Sequence, residues 1–191
     1  MADAIKVLGI SGSLRHGSYN SGLLRAATTV LPPDVEMTIF PLHNIPLFNS
    51  DVERAGNPEP VAAMQQAIGA AAGLLFAVPE YNYSISGVLK NAIDWASRGR
   101  PSTLDGKPVA IMGVGGRQGT ARAQMHMRQI ALHNSLRVMI DPELLLARSR
   151  SKFDPDGNLT DADTREQLRE FMAAFDEWIR HCRVDPTLRF A

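Results

Sequence analysis

The strongest constraint on the fold of this chain is an alternation of two kinds of segment. Short apolar runs of strand length are separated by longer segments in which apolar residues recur with a helical period. This alternation is typical of α/β domains with a parallel sheet. The predicted strands are IKVLGI (5–10), VEMTIF (35–40), GLLFAV (73–78), PVAIMG (108–113) and RVMI (137–140).

Each predicted strand is followed by a predicted helix. The helices cover residues 21–31, 58–71, 86–98, 120–136 and 161–182. Half of a larger Rossmann domain would show the same alternation, but the length of 191 residues favours one flavodoxin-like domain over residues 1–191. We expect a three-layer α/β sandwich, in which a five-stranded parallel sheet in the order 2-1-3-4-5 carries helices on both faces. Strands 73–78 and 108–113 are apolar throughout and should be central, whereas 35–40 alternates and should lie at an edge.

The charge balance, the apolar runs and the cysteine count limit the partners and the location that this chain is expected to have. With 20 basic and 20 acidic residues the formal net charge is zero, so we predict neither nucleic acid nor a membrane as a partner. No apolar run reaches the roughly 20 residues that span a bilayer, and the N-terminus lacks the pattern of a signal peptide. The single cysteine, Cys182, indicates a reducing compartment and no cysteine-based metal cluster. We therefore predict a cytoplasmic protein without a metal site.

Two stretches show neither the strand period nor the helical period of apolar residues, and we interpret both as surface loops. They are residues 41–60, rich in proline and asparagine, and residues 143–158. The second contains a basic cluster, Arg148, Arg150 and Lys152. A phosphate contact is possible there, but a solvated loop is the interpretation that we favour.

The stretch GISGSLRHGSYNSGLL (9–24) follows the first strand and leads into the first helix. Such a turn directs backbone N–H groups and the positive end of a helix at one point, which predicts an anion site. Ser18 stands where a P-loop requires lysine, and no acidic residue follows the second strand as a dinucleotide fingerprint requires. The remaining donors suit a terminal phosphomonoester, although an ordinary solvent-exposed turn is the alternative. They are Ser11, Ser13, Arg15, Ser18 and Asn20 with the intervening backbone, including Leu14 and Tyr19.

Two further loops should reach the same edge of the sheet. Pro79, Glu80, Tyr81, Asn82 and Tyr83 follow the third strand, and GVGGRQG (113–119) follows the fourth. In an open α/β sheet ligands bind at the carboxyl ends of the strands, where the strand order reverses. Tyrosines beside a phosphate site would cover a flat aromatic ring, and glycines would allow the backbone to approach it.

The segments GSLRHGSYN (12–20) and PEYNYSISGVLKNAIDW (79–95) resemble the paired signatures of the NADPH-dependent FMN reductase family, which has the flavodoxin-like fold. The resemblance implies that Ser13, Arg15, Ser18 and Asn20 hold the FMN phosphate. It implies that residues 80–83 line the ribityl chain and the ring, with Val114, Gly115 and Gly116 at a third side. It also implies a homodimer or homotetramer, with Lys90, Asn91 and Asp94 on an interface helix and Arg98 and Glu143 as further contacts.

Three positions depart from the family pattern. Ser86 replaces a common proline, Val114 and Gly115 replace hydroxyl residues, and Met125 replaces an interface tyrosine of some relatives. After the fourth strand, this leaves backbone amides as the predicted donors to the ring edge.

The resemblance implies a ping-pong reductase that transfers hydride from NADPH or NADH through FMN to a small acceptor. The acceptor classes are quinones, azo compounds, metal oxyanions and free flavin. Because the flavin performs the chemistry, we predict no catalytic side chain. Candidates for the 2′-phosphate of NADPH are Arg15, Arg117 and the basic loop 148–152. The alternatives are a flavodoxin-like one-electron carrier, which the neutral net charge disfavours, and a flavin-binding sensor or interaction protein.

Overall fold

The computed structural model describes residues 4–147 and 149–184, which form a sheet covered by helices. The strands are β1 (Ile5–Ser11), β2 (Val35–Phe40), β3 (Gly73–Ala77), β4 (Pro108–Val114), β5 (Arg137–Val138) and β6 (Leu144–Leu146). The helices are α1 (Tyr19–Ala27), α2 (Ser50–Ala55), α3 (Glu59–Ala70), α4 (Gly87–Ala96), α5 (Ala121–His133) and α6 (Ala162–Val184), with a 3-10 helix at Ser149–Lys152.

The strands pair in parallel in the order β2-β1-β3-β4-β5, which confirms the predicted topology. β2 is an edge strand, as its alternating sequence predicted, and its burial alternates from Val35 to Thr38, whereas Ile39 is exposed. β3 and β4 are buried at every residue, as their unbroken apolar runs predicted. The sheet therefore has the flavodoxin-like arrangement.

The prediction of five strands was wrong, because two short strands share the position beside β4. β5 pairs with the first two residues of β4, and β6 pairs with its last three, Met112 to Val114. Only the first half of the predicted strand 137–140 is a strand, and Ile140 is exposed. Pro142, between β5 and β6, has no N–H to donate to the ladder, which explains the interruption.

Two apolar cores lie on opposite faces of the sheet. On one face α1 and α6 pack, with Leu23, Phe171 and Phe175 buried against alternate residues of β1, β3 and β4. On the other face α3, α4 and α5 bury Met64 and Trp95 among others. The predicted helices are thus confirmed on both faces, with ends shifted by a few residues. No helix of the described ranges is long and apolar enough to cross a bilayer.

Residues 41–60 are more than the surface loop that we predicted. They contain α2, whose six residues are partly or fully exposed, and a segment that is attached to α4. The Asn91 side chain accepts a hydrogen bond from Phe48 N (2.7 Å) and donates one to Pro46 O (2.8 Å). Trp95 Nε1 also donates to Pro46 O (2.8 Å). These polar contacts explain why a segment without apolar periodicity is ordered.

Residues 143–158 are not a surface loop either. After β6 the chain passes back across α1 and the start of α6, and we call residues 149–161 the return segment. Phe153 and Leu159 bridge each other and are buried in the core under α1. Lys152 Nζ donates to Asp161 Oδ1 and to Thr164 Oγ1, both at 2.8 Å, at the start of α6. Arg148, the first residue of the predicted basic cluster, lies outside the described residues.

Candidate functional site

A cavity lies at the carboxyl edge of the sheet, where β1, β3 and β4 end side by side. Its volume is about 590 Å³, within the range of ligand and cofactor sites. Three loops contribute to it, one after each strand, and so does the return segment. The lining residues are Ser13, Arg15, Ser18, Tyr19, Asn20, Pro79, Glu80, Tyr81, Val114, Gly115, Gly116, Arg117, Ser149 and Arg150.

We call residues 12–18, the loop between β1 and α1, the phosphate turn. Ser18 is the N-cap of α1, and its Oγ accepts a hydrogen bond from Ser21 N (3.3 Å). Ser11 Oγ accepts hydrogen bonds from Ser13 N (3.3 Å) and from Ser21 Oγ (2.9 Å). Because the first turn of α1 has no acidic residue, the positive end of its dipole is left for an external anion.

Arg15 is the predicted cation of the phosphate turn. Its guanidinium carbon lies 5.4 Å from the centre of the Tyr19 ring. Tyr19 in turn stacks on Phe153 of the return segment, with centroids 4.7 Å apart and an interplanar angle of 18°. Arg15 is exposed and forms no ion pair with a residue that the structure describes. Its charge is therefore available to a ligand.

The side chain of Asn20 forms two hydrogen bonds within the protein. Its Nδ2 donates to Val114 O (2.9 Å), and its Oδ1 accepts from Val114 N (3.0 Å). The amide thus joins the start of α1 to the end of β4 and leaves one N–H for any ligand. Asn20 lines the cavity, but its first role in this structure is to hold two of its walls together.

Ser86, a departure from the family pattern, connects the first loop to the second. Its Oγ donates to Gly12 O (2.6 Å) and accepts from Leu89 N (3.2 Å) as the N-cap of α4. The two loops are so close that a Cβ on Gly12 would lie 2.8 Å from Pro79 Cδ. Glycine at residue 12 is therefore required by close approach.

Glu80 lines the cavity, but its carboxylate binds the start of α5. Oε2 accepts from the N–H groups of Arg122 (3.0 Å) and Ala123 (3.3 Å), and Oε1 accepts from Arg122 Nη1 (3.1 Å). Thr120, the N-cap residue, makes no capping bond with its own side chain. The carboxylate therefore caps a helix, while Glu80 remains one of the residues that line the cavity.

Four predicted residues do not line the cavity. They are Ser11, Leu14, Asn82 and Tyr83. Ser11 is bonded within the turn, and Leu14 is 40% exposed. Asn82 and Tyr83 occupy a tight turn closed by two hydrogen bonds between Tyr81 and Ser84; both residues have positive φ angles, and both side chains are exposed. Tyr83 instead packs under the Arg122 guanidinium, 3.9 Å from its ring centre.

The loop after β4 forms the third wall, and two of the N–H groups at its start are occupied. Val114 N donates to Asn20, and Gly115 N donates to Leu146 O of β6 (3.0 Å). Gly116 bridges Gly119 across the turn. The N–H of Arg117, which lines the cavity, forms no hydrogen bond with a described residue, so it is a candidate donor to a ligand here.

Three lining residues were absent from the set predicted for FMN: Arg117, Ser149 and Arg150. Arg117 and the loop 148–152 were predicted only as candidates for the 2′-phosphate of NADPH. Arg117 also lines an adjoining cavity of about 630 Å³ together with Glu80, Tyr83 and Arg122. Ser149 is buried, and its Oγ donates to Gly115 O (3.4 Å). The basic cluster suggested a phosphate contact that includes Arg150. No local sequence pattern, however, indicates that the chain returns to the carboxyl edge of the sheet after β6.

The residues predicted for subunit contacts have partners within the chain. Lys90 pairs with Asp94, one turn along α4. Arg98 Nε donates to Glu53 Oε1 of α2 (2.7 Å), which raises the pKa of the Arg98 guanidinium. Arg128 Nη2 donates to Glu143 Oε1 (3.2 Å). These contacts stabilise one copy of the chain.

The cavity fits a ligand that has an anionic group at one end and a flat ring at the other. Hydroxyls, Arg15 and the start of α1 stand at the first end. Pro79, Tyr81 and the narrow glycine loop stand at the second, where a Cβ on Gly115 would lie 2.0 Å from Gly119 O. FMN has this combination of a phosphomonoester and a flat ring, so the residues present fit the cofactor that the sequence motifs imply.

Comparisons with known proteins agree with this geometry. The family model described as NADPH-dependent FMN reductase matches residues 5–150. An NAD(P)H-dependent FMN reductase from Pseudomonas aeruginosa is 47% identical over 184 residues, covering 96% of this chain and all of the relative. A 2-hydroxy-1,4-benzoquinone reductase from a Burkholderia species is 39% identical over 183 residues, covering 95% of this chain and all of the relative.

A solved structure is also similar over most of its length. It is FerB, a flavoenzyme NAD(P)H:(acceptor) oxidoreductase from Paracoccus denitrificans. The TM-score is 0.83 with 31% sequence identity, and the match covers 93% of this chain and 98% of FerB.

Proposed function

Because the chain belongs to the NADPH-dependent FMN reductase family, and is therefore an oxidoreductase that uses FMN and NAD(P)H, we propose that it reduces quinones and related small acceptors at the cavity described above. The observation that carries this proposal is the pairing, in one cavity, of a phosphate turn with an aromatic and glycine-lined end. The benzoquinone reductase relative supports quinones as the first acceptor class.

In this proposal the phosphate turn holds the phosphate of FMN through Ser13, Arg15 and Ser18, with Asn20 contributing its remaining N–H. Val114 to Gly116 form the wall along the ring, and Pro79 and Tyr81 cover it. When bound, FMN supplies hydride acceptance from the nicotinamide and hydride donation to the acceptor. The protein orients the cofactor, and Arg117 offers an N–H and a positive charge beside the wall after β4.

No side chain is assigned as a catalytic acid or base. Glu80 is the one carboxylate that lines the cavity among the described residues, and it is already bonded to α5 and to Arg122. Because Glu80 is already hydrogen-bonded in this way, the structure supports a mechanism in which the cofactor alone exchanges hydride.

We propose a ping-pong order, in which the reductant and the acceptor use the same face of the flavin in turn. We also propose azo compounds, metal oxyanions such as chromate, and free flavin as further acceptors.

An anaerobic titration tests the proposed activity. NADPH or NADH is added to the FMN-loaded full-length protein, and the flavin absorbance is followed; we expect bleaching by one equivalent, and recovery of the colour on addition of benzoquinone. Bleaching that requires an auxiliary reductase would instead indicate a one-electron carrier. The absence of bleaching even with such a reductase would favour a sensor or interaction protein.

Assembly as a homodimer or homotetramer is also a proposal. Met125 and Leu132 lie seven residues apart on α5, so they share one face, and they are 63% and 79% exposed. Tyr83, 65% exposed, lies beside Arg122 on the same helix. Exposed apolar side chains along one face support burial against a second copy. Sedimentation velocity should give a dimer or tetramer, and Leu132→Asp should shift it toward the monomer.

Two further proposals concern the whole chain. We propose that residues 1–191 form a single domain, which the continuous sheet and its two shared cores support. We also propose a cytoplasmic location, on the single cysteine and the use of NAD(P)H. Limited proteolysis and cell fractionation would test them.

A further inference from the structure

The cavity has a cation that the motifs of the family do not include. Arg150 lies in the return segment, on the 3-10 helix Ser149–Lys152, and it is one of the residues that line the cavity. It is exposed and forms no ion pair or hydrogen bond with a described residue. Lys152, two residues further, is bonded to Asp161 and Thr164. The structure therefore divides the basic cluster into a structural lysine and an arginine that is free to meet a ligand.

The return segment lies against the phosphate turn. Phe153 stacks on Tyr19, the first residue of α1. Gly17 is so near the segment that a Cβ there would lie 3.3 Å from Pro155 O. On the other side, Ser149 is bonded to Gly115 O. Arg150, between Ser149 and Phe153, is thus held between the phosphate turn and the wall after β4.

Charge balance favours a phosphate as its partner. A phosphomonoester carries about 1.5 to 2 negative charges at neutral pH. Arg15 supplies one positive charge and the start of α1 about half a charge, and no acidic residue lies in the first turn of α1. Together they supply about 1.5 positive charges, so up to about half a negative charge is left on a fully ionised phosphate. The planar fork of a second guanidinium matches the phosphate oxygens that Arg15 does not bind.

We propose that Arg150 is a second guanidinium for the terminal phosphate of FMN, delivered by the return segment. This inference rests on the proposed function, because it requires FMN in this cavity. The other phosphate that such a residue could bind is the 2′-phosphate of NADPH. Contact of the return segment with Tyr19 and Gly17 favours the FMN phosphate.

The test compares two flavins that differ in the phosphate alone. Dissociation constants for FMN and riboflavin are measured by equilibrium dialysis of the full-length protein, for the wild type and for Arg150→Ala, Arg150→Lys and Arg15→Ala. Arg169→Ala is the matched control, because it removes an exposed arginine from α6, away from the cavity. We expect Arg150→Ala to raise the Kd for FMN about tenfold and to leave that for riboflavin unchanged. Arg150→Lys keeps the positive charge but loses the planar guanidinium, so its Kd for FMN should lie between those of the wild type and Arg150→Ala.

Each contrary result identifies which proposal fails. If Arg15→Ala weakens FMN binding while Arg150→Ala matches Arg169→Ala, the role of Arg150 is overturned and the proposed function stands. Equal weakening of FMN and riboflavin would also overturn it, since the phosphate would not be the group recognised. If Arg150→Ala leaves FMN binding unchanged and raises only the KM for NADPH, the proposal is overturned, and Arg150 binds the 2′-phosphate of NADPH instead. If the wild type binds no FMN, the proposed function itself falls.

Discussion

At the scale of single residues, Ser86 shows how one hydroxyl organises the cavity. It is 2% exposed and bonds both to Gly12 in the phosphate turn and to the first turn of α4. A proline at this position could cap neither helix nor turn, because it has no hydroxyl. This chain therefore holds its first two loops together by a hydrogen bond that the family pattern does not predict.

Replacing Ser86 with alanine should destabilise the fold and loosen the phosphate turn. Loss of the N-cap and of a buried partner for Gly12 O should lower the free energy of unfolding by about 1–3 kcal/mol. Urea unfolding followed by circular dichroism measures this. Ser50→Ala, at the exposed start of α2, is the control and should change stability by less than about 0.5 kcal/mol. Equal effects of the two variants would contradict this role.

Asp161 should make stability depend on pH in the acid range. Hydrogen bonds from Lys152 and Thr164 lower the pKa of its carboxyl from 3.8 to about 2. Because the pKa is lower in the folded state, the stabilisation is complete above about pH 4 and is lost as the pH falls toward 2.

The comparison of wild type with Asp161→Asn measures this contribution. The difference between their urea midpoints should be constant from pH 5 to 8 and should shrink between pH 4 and 2. Asp163→Asn removes an exposed carboxylate from the same turn of α6, and its effect should be smaller at each pH. If the difference between the urea midpoints of the wild type and Asp161→Asn does not change with pH, the ion pair is excluded as its cause.

At the scale of elements, the contact between α1 and the return segment decides the shape of the site. Arg25 of α1 donates to Gly157 O (3.2 Å) and to Asn158 Oδ1 (2.9 Å). Gly157 adopts a φ of 80°, which closes the turn at this point. The result is that a polar, glycine-containing turn, rather than a helix or strand, brings Ser149 and Arg150 to the cavity.

Gly22→Ala should break this contact. A Cβ at residue 22 would lie 1.7 Å from Gly157 O, so the return segment or α1 must move. We expect a loss of stability of about 1–3 kcal/mol, together with weaker FMN binding. Gly69→Ala, in α3, has open space around the added methyl and should stabilise the protein by up to about 1 kcal/mol. Stabilisation by both substitutions would show that α1 and the return segment are not in contact.

At the scale of the whole molecule, the cavity joins parts of the chain that fold around different faces of the sheet. α1 and the return segment belong to the face that α6 covers, and the loops that lead into α4 and α5 belong to the other face. A ligand that touches both sets of loops should stabilise the entire fold, since it binds the folded state alone.

FMN should therefore raise the Tm. A hundredfold excess over the Kd adds about 2.7 kcal/mol, which for a chain of this size corresponds to about 5–10 °C. Removal of FMN by dialysis should reverse the shift, and riboflavin at the same concentration should give a smaller one because it lacks the phosphate. Differential scanning fluorimetry measures all three states. An unchanged Tm at saturating FMN would contradict cofactor binding by the folded chain.

The parts of this protein that were predicted correctly depend on short-range patterns. Apolar runs and helical periods identified β1 to β4 and five of the helices, because burial of one or both faces imposes a period on neighbouring residues. The motif residues Ser13, Arg15 and Ser18 were placed at the correct edge, because the carboxyl ends of parallel strands share one edge. β6 was missed, since three leucines between loops give too short a run to show a period.

The sequence by itself therefore determined the order of elements, the parallel sheet and the position of the loop 12–18 at the carboxyl edge. Tertiary structure alone decided the partners of the polar side chains. Asn20 and Val114 are 94 residues apart, and Glu80 and Arg122 are 42 apart. It also decided that Arg150 lines the cavity, because that position depends on how the return segment packs on α1. Local propensity and periodicity are properties of neighbouring residues, whereas these contacts arise when distant segments are packed together around the sheet.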